Sequence, residues 1–355
     1  MAPLEATLEI SPRTRVDMVD VRALAASIHG GAFEGYARCL YSSPHTTAGY
    51  LPQSLAARLT SGERAGLAPY LGVFATAFPE GAGYQHDNLE LRLELPPEQR
   101  RVEPVNADSH LAFMAAGLNT CVSYRVERDG PVYFVDLDGT NAGTPRRRVT
   151  RLVGYDREVE VARTSIQIPV SRHPIEAINL KDPKIGLSEQ LAELISTNGV
   201  EKGRIRLALD LGERDASLTI NEYESLLMQH DLTEVLRNPL KFAAEKARHA
   251  WNDPRAVPMK AMEYAKYDFV HALNRLMDTL GLSASRLELL VARALEFPAS
   301  RFLRMKRSVN LLVSDSATPG RGALVEGTYQ APILVQWRPT DRGVRKVDLV
   351  LSRFL

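Results

Sequence analysis

The chain has little cysteine, almost no net charge and no long apolar run, and each shortage removes a class of protein. Cys39 and Cys121 are its only thiols, too few for a disulfide framework and not spaced as a metal pair, which suits a reducing compartment and two core thiols. Lys and Arg number 44 against 43 Asp and Glu, so no long-range field draws in nucleic acid or an anionic membrane, and an acidic ligand must be caught locally. No apolar stretch reaches the roughly 18 residues of a membrane helix. Met1–Ile10 carries Glu5 and Glu9 and lacks the basic start of a signal peptide. The expectation is a cytoplasmic protein with neither membrane nor nucleic acid as partner.

What is present is material for packed cores: 355 residues, 45% apolar and 25% charged, enough for two domains of about 150–200 residues. Leu24–Tyr50 aligns with Leu191–Leu218 across one single-residue gap, and both stretches read helix, glycine turn, strand, polar corner. In the second, Leu187, Leu191, Leu194 and Ile195 recur at helical spacing and Asn198-Gly199 supplies a left-handed stop. Ile205, Leu207, Leu209 and Leu211 then alternate as a strand with one buried face. The first copy repeats this with Gly30-Gly31, Gly35, Ala37, Cys39 and Tyr41. His86 and His110 have counterparts in His249 and His271. Each copy ends in an apolar strand followed by basic residues, Arg146-Arg147-Arg148 and Arg345-Lys346, for which solvation competes with phosphate binding. Residues 226–303 read as extra helices broken by Pro239, Pro254 and Pro258. Leu273, Leu276, Met277 and Leu280 form an apolar stripe there, either core or a partner surface. The expected division is 1–165 and 166–355.

Ser43-Pro44-His45-Thr46-Thr47-Ala48-Gly49 puts an imidazole and two hydroxyls at a strand end. Such a corner is either a phosphate cradle or a polar turn bonded to itself. With His86 and His110, His45 makes three imidazoles, enough for a divalent site of the zinc type that keeps an open position, provided the fold brings them together. Asn106 and Asp108 either orient the third imidazole or serve as its acid-base partner, unless Asp108 or Ser109 simply caps a helix.

Taken in order, His45-Thr46-Thr47-Ala48, Tyr84-Gln85-His86 and Asn106-Ala107-Asp108-Ser109-His110-Leu111 resemble the YjbQ, or secondary thiamine-phosphate synthase, family. The second copy supplies Leu218-Thr219-Ile220-Asn221-Glu222 and Gly327-Thr328-Tyr329-Gln330. The pieces are complementary. Ser54 stands where the family's glutamate belongs in the first copy, and Glu213-Arg214-Asp215 where His-Thr-Thr belongs in the second. The resemblance implies an α+β fold of two tandem domains, each a mixed sheet packed with helices, and a homo-oligomer of trimer-like symmetry. It also implies transfer on a small phosphorylated substrate, joining a pyrimidine pyrophosphate to a thiazole phosphate. Under that reading His45, His86, His110, Asp108 and Glu222 carry catalysis, the three histidines hold any metal (Zn or Mg), and Thr46, Thr47, Asn106, Asn221 and Gln330 bind substrate. Either the copies share one site or only the first is active. The competing expectations are a metal-dependent hydrolase of a small polar substrate and a non-catalytic binding or scaffold protein.

Overall fold

The computed structural model describes residues 1–60, 66–126, 130–141, 143–237, 242 and 306–355. His249, His271, most of the expected helical segment 226–303 and its stripe Leu273, Leu276, Met277 and Leu280 lie outside the described residues. The chain divides into two compact units. Unit 1 takes Met1–Gln53, Leu118–Tyr223 and Lys306–Leu355, and unit 2 takes Ser54–Gly117 and Glu224–Met305.

In chain order the first half runs β1 (Leu4–Ile10), β2 (Asp17–Asp20), α1 (Val21–His29), β3 (Arg38–Ser42) and β4 (Ala48–Gly49). Helices α2 (Gln53–Leu59), α3 (Leu67–Ala77), α4 (Pro97–Arg100) and α5 (Ala107–Ala115) follow. The half closes with β5 (Cys121–Arg125), β6 (Tyr133–Asp136), the small hairpin β7 (Thr140–Asn141) and β8 (Thr144–Pro145), and β9 (Arg148–Tyr155). The second half runs β10 (Glu158–Pro169), β11 (Glu176–Asn179), α6 (Leu187–Thr197), β12 (Gly203–Leu209) and β13 (Ala216–Glu222). A π turn (Leu227–Asp231) leads into α7 (Leu232–Arg237), and β14 (Ser308–Ser314), β15 (Ala323–Val325), β16 (Gln330–Gln336) and β17 (Val344–Phe354) complete it.

Local chemistry explains the elements that were legible in the sequence. Asp20 caps α1 by accepting from the amides of Arg22 and Ala23, and Gly30 ends it at φ 59°. Leu187, Leu191 and Ile195 form the buried face of α6, and Gly199 turns the chain at φ 55°. Along β12, Ile205, Leu207 and Leu209 are buried. The alternation stops there: Leu211 is 96% exposed because Asp210 accepts the amide of Gly212 and closes a turn.

Unit 1 contains the order β1-β9-β3-β5 and, from the second half, β10-β17-β12-β14-β15. Two smaller sheets run β2-β6-β4 and β11-β16-β13. The halves thus place equivalent strands in equivalent orders. The expected α+β fold is found, with sheets whose ladders among the described residues are antiparallel where a mixed sheet was expected. The expected division at 165/166 falls inside β10, which pairs with β17 along its length. The chain's turn from one half to the other comes earlier, at Asp156 and Arg157, whose amides both donate to the Leu355 carbonyl.

The sheets of the two halves share a small core. Leu40, Cys121, Val153 and Tyr155 meet Leu312 and Phe354, with the rings of Tyr155 and Phe354 stacked at 4.0 Å. Both thiols are buried, and burial pushes each up to about 12, so they pack as hydrophobes. Leu312 has no exposed surface, so Leu312→Ala is expected to cost about 2–5 kcal/mol, read by urea unfolding. Leu211→Ala at the exposed turn is expected to change stability by less than about 0.5 kcal/mol. Equal effects would contradict this placement of the core.

Candidate functional site

In unit 1 the chain turns out of β3 at Ser43 and enters β4 at Ala48, so Pro44, His45, Thr46 and Thr47 form a corner. Ser43 pins it by donating to the Ala48 carbonyl at 2.7 Å. His45 Nε2 accepts the amide of Val149 at 2.9 Å. A backbone N–H can only donate, so the proton of the neutral ring sits on Nδ1. Burial, then the guanidiniums of Arg148 and Arg146, push the His45 pKa down to about 3. His45 is therefore a neutral, oriented donor and lacks the free Nε2 of a usual metal ligand.

Arg148 is buried and was the residue least expected to be so. Its Nε and Nη2 donate to the two oxygens of Asp136 at 2.7 and 3.0 Å. Nη2 also reaches the Asp138 carbonyl and, at 3.4 Å, the hydroxyl of Thr47. Arg146 pairs with Asp138, and only Arg147, paired with Glu9, lies on the exposed surface. Burial pushes the Asp136 carboxyl up while the Arg148 guanidinium pulls it down, burial being the larger effect.

The second half builds the same corner from different residues. Ala48 and Ala216 hold equivalent register positions, the first opposite Asp136 and the second opposite Gln336. Glu213 stands where His45 stands, and it accepts the amide of Lys346 at 3.0 Å as His45 accepts that of Val149. Arg345 is buried like Arg148, donating from Nε to Gln336 Oε1 and from Nη1 to Glu213 Oε2, each at 3.0 Å. Arg345 is thus neither solvated nor open to phosphate, the two fates weighed for it, but held in a buried pair.

Gln330 of β16 reaches back to the first corner, where its Nε2 donates to the carbonyls of Ser43 and His45 at 2.8 and 2.9 Å. Its Oε1 accepts the amide of Gly327 at 3.0 Å. A β-carbon on Gly327 would stand 1.7 Å from the Pro44 carbonyl oxygen, so only glycine permits the approach. Gln330, expected to bind substrate, holds the corner's backbone. Asn221 is buried at the end of β13 and accepts the amide of Glu222 at 2.7 Å.

Unit 2 gathers the other imidazoles. His86 is 1% exposed and its Nδ1 lies 2.8 Å from Glu224 Oε2. Its Nε2 lies 3.4 Å from Asn106 Oδ1, and the His110 ring meets it edge-on at 5.3 Å. Glu224 also caps the π turn, accepting from Leu226 and Leu227 at 2.7 and 2.8 Å. Burial raises the Glu224 pKa, but the His86 ring and these amides together hold it below the usual range. Asp231, fully buried at the end of the same turn, accepts the amides of Gln85 and His86, each at 3.0 Å. Asp87 takes the Ala107 amide at 3.0 Å, capping α5 in place of Asp108 or Ser109, and burial pushes its carboxyl up to about 6. Asp108 is buried in the first turn of α5 and accepts from Ser109 at 3.3 Å.

Of the expected residues, unit 2 therefore brings together His86, Asn106 and His110, while His45, Thr46, Thr47, Asn221, Glu222 and Gln330 belong to unit 1. The carboxylate that meets His86 is Glu224, a residue that the motif reading did not single out. Among the described residues no three His, Cys, Asp or Glu side chains are grouped so as to hold a metal ion. Nor does any described helix have the length and apolarity to cross a membrane.

No family model matches the chain, and no curated protein matches it. Solved structures similar to it are YjbQ-like proteins covering about half its length. A YbjQ-like protein of unknown function from Sulfolobus solfataricus is 14% identical, covering 56% of this chain and 99% of its own, at a TM-score of 0.30. A hypothetical protein from Aeropyrum pernix is 16% identical over 54% of this chain and 98% of its own, at 0.29. An uncharacterised conserved protein of the YjbQ/UPF0047 family from Clostridium acetobutylicum is 13% identical over 54% and 99%, at 0.27. Likeness at this level transfers no chemistry, which rests on the chain's own residues.

His45 is neutral when folded and titrates near its ordinary 6.5 when unfolded, so unfolding takes up a proton. Its contribution to stability is complete above pH 6.5 and is lost as the pH falls from 6.5 towards 3. One such proton gives a slope of at most about 1.4 kcal/mol per pH unit. His45→Gln, which can still accept from Val149 but cannot be protonated, is expected to flatten the pH dependence of unfolding in this window. An unchanged slope would contradict the assignment.

Proposed function

We propose that the chain is an enzyme acting on a small phosphorylated substrate, with His86 as its proton carrier and Glu224 as the group that orients and charges the ring. The observation that carries this reading is the buried 2.8 Å contact between His86 Nδ1 and Glu224 Oε2. A carboxylate on Nδ1 fixes which nitrogen exchanges protons and favours the imidazolium once formed. Asn106 suits both states of Nε2: its Oδ1 accepts from the protonated nitrogen, and an amide flip presents Nδ2 to the neutral one. His110 adds a second imidazole edge-on to the ring. The π turn that carries Glu224 and Asp231 is itself a feature frequent at functional sites.

The resemblance of the motifs to the YjbQ family directs the choice of reaction: transfer of a pyrimidine methylene group from pyrophosphate to a thiazole phosphate. An imidazolium can protonate the departing pyrophosphate, which makes it a better leaving group. A tandem duplication is the supporting origin, favoured by the repeated strand order and the equivalent corners. It accounts for a histidine from the first half held by carboxylates from the second within unit 2. Assembly into a homo-oligomer belongs to the same reading.

The test is turnover of the pyrimidine pyrophosphate and thiazole phosphate pair by the full chain, with pyrophosphate release as a parallel readout. His86→Gln and Glu224→Gln are each expected to lower kcat by about 10²-fold or more with little change in KM. Full activity in the Glu224 variant, with native stability, would overturn the assignment.

A further inference from the structure

A groove of about 530 Å³ opens on unit 1 where β3 and β5 of the first half face β12 and β14 of the second. Its charged lining is Arg38, Arg204, Lys306 and Arg307, with no carboxylate among the lining residues. That is a sharp local departure for a chain whose formal net charge is +1. Arg38 and Arg204 come from strands that hold the same place in the two sheet orders, so the groove is lined from two equivalent sides. The two arginines differ in how they are neutralised. Arg204 donates from Nε and Nη2 to both oxygens of Glu158, at 2.6 and 3.0 Å. Arg38 is half-buried and makes no side-chain hydrogen bond or ion pair among the described residues. Arg307 is turned to the carbonyls of Glu213, Leu209 and Asp210. Beside them Asn310 presents a buried Oδ1 with no hydrogen-bond partner among the described residues.

From this we infer that the groove is a binding site for a small phosphorylated molecule carrying a hydroxyl, distinct in its residues from the His86 site. Its volume lies within the range of small-ligand sites, about 300–1,000 Å³. The uncommitted guanidinium of Arg38 supplies a fork matched to phosphate oxygens, and Arg204 and Lys306 add positive potential. Asn310 Oδ1 accepts a hydrogen bond from the hydroxyl, which satisfies an acceptor otherwise desolvated at a cost.

Isothermal titration of the full chain with ribose 5-phosphate, at about 50 mM salt to limit screening, is the experiment, with inorganic phosphate as the companion probe. One saturable site is expected. Arg38→Gln is expected to weaken both probes by about tenfold or more, the scale of one charge-assisted hydrogen bond. Asn310→Ala is expected to weaken ribose 5-phosphate by about threefold and to leave inorganic phosphate unchanged. His86→Gln should leave both titrations as they were, and melting temperatures confirm that each variant is folded. Absence of binding, binding indifferent to Arg38→Gln, or binding lost on His86→Gln would each overturn the inference.

Discussion

A guanidinium buried at the start of the last strand of each half, Arg148 on β9 and Arg345 on β17, decides what the polar corner beside it can be. Removing such a charge from water costs several kcal/mol unless a carboxylate answers it and its remaining N–H groups find acceptors. The two halves answer differently. In the first, the carboxylate comes from Asp136 of β6, and His45 stays neutral with its proton on Nδ1. In the second, the carboxylate comes from the corner itself, Glu213, and the middle strand offers the neutral amide of Gln336. The same place in the fold is thus a donor-bearing corner in one half and a closed structural pair in the other.

The closed pair at the second corner does not make the second half a bystander. Gln330 and Gly327 shape the first corner from behind through backbone contacts. Glu224 and Asp231, also from the second half, fix the loop and ring of His86 within unit 2. What the second half keeps are the side chains that hold the first half's histidines in place.

Periodicity made α6 and β12 legible, because Leu187, Leu191 and Ile195 repeat at a helical interval and Ile205, Leu207 and Leu209 at a strand interval. Both signals are local, as are the glycines that end α1 and α6. Gln330, singled out by the Gly-Thr-x-Gln string, meets the corner at Ser43 and His45 through their backbone carbonyls. Other residues were not legible, for physical reasons. Three consecutive arginines look solvated, and only the turn between β6 and β9 shows that Arg148 comes back onto Asp136. Glu222 and Glu224 lie two apart in one string, and no pattern tells which follows the chain out of β13 and into the π turn. Asp231 bonds the backbone of His86 across 145 residues, a relation that no spacing rule encodes.

The central claim is that the two corners are alternative answers to the same buried guanidinium, and converting one into the other tests it most directly. Asp136→Asn removes the carboxylate from Arg148 and is expected to cost about 3–5 kcal/mol in chemical unfolding at pH 7. Adding His45→Glu places a carboxylate where Glu213 stands in the second half. The account predicts that this double variant recovers at least about half of that loss, a coupling beyond the scatter of about 0.5 kcal/mol for independent sites. A double variant no more stable than Asp136→Asn alone would contradict it.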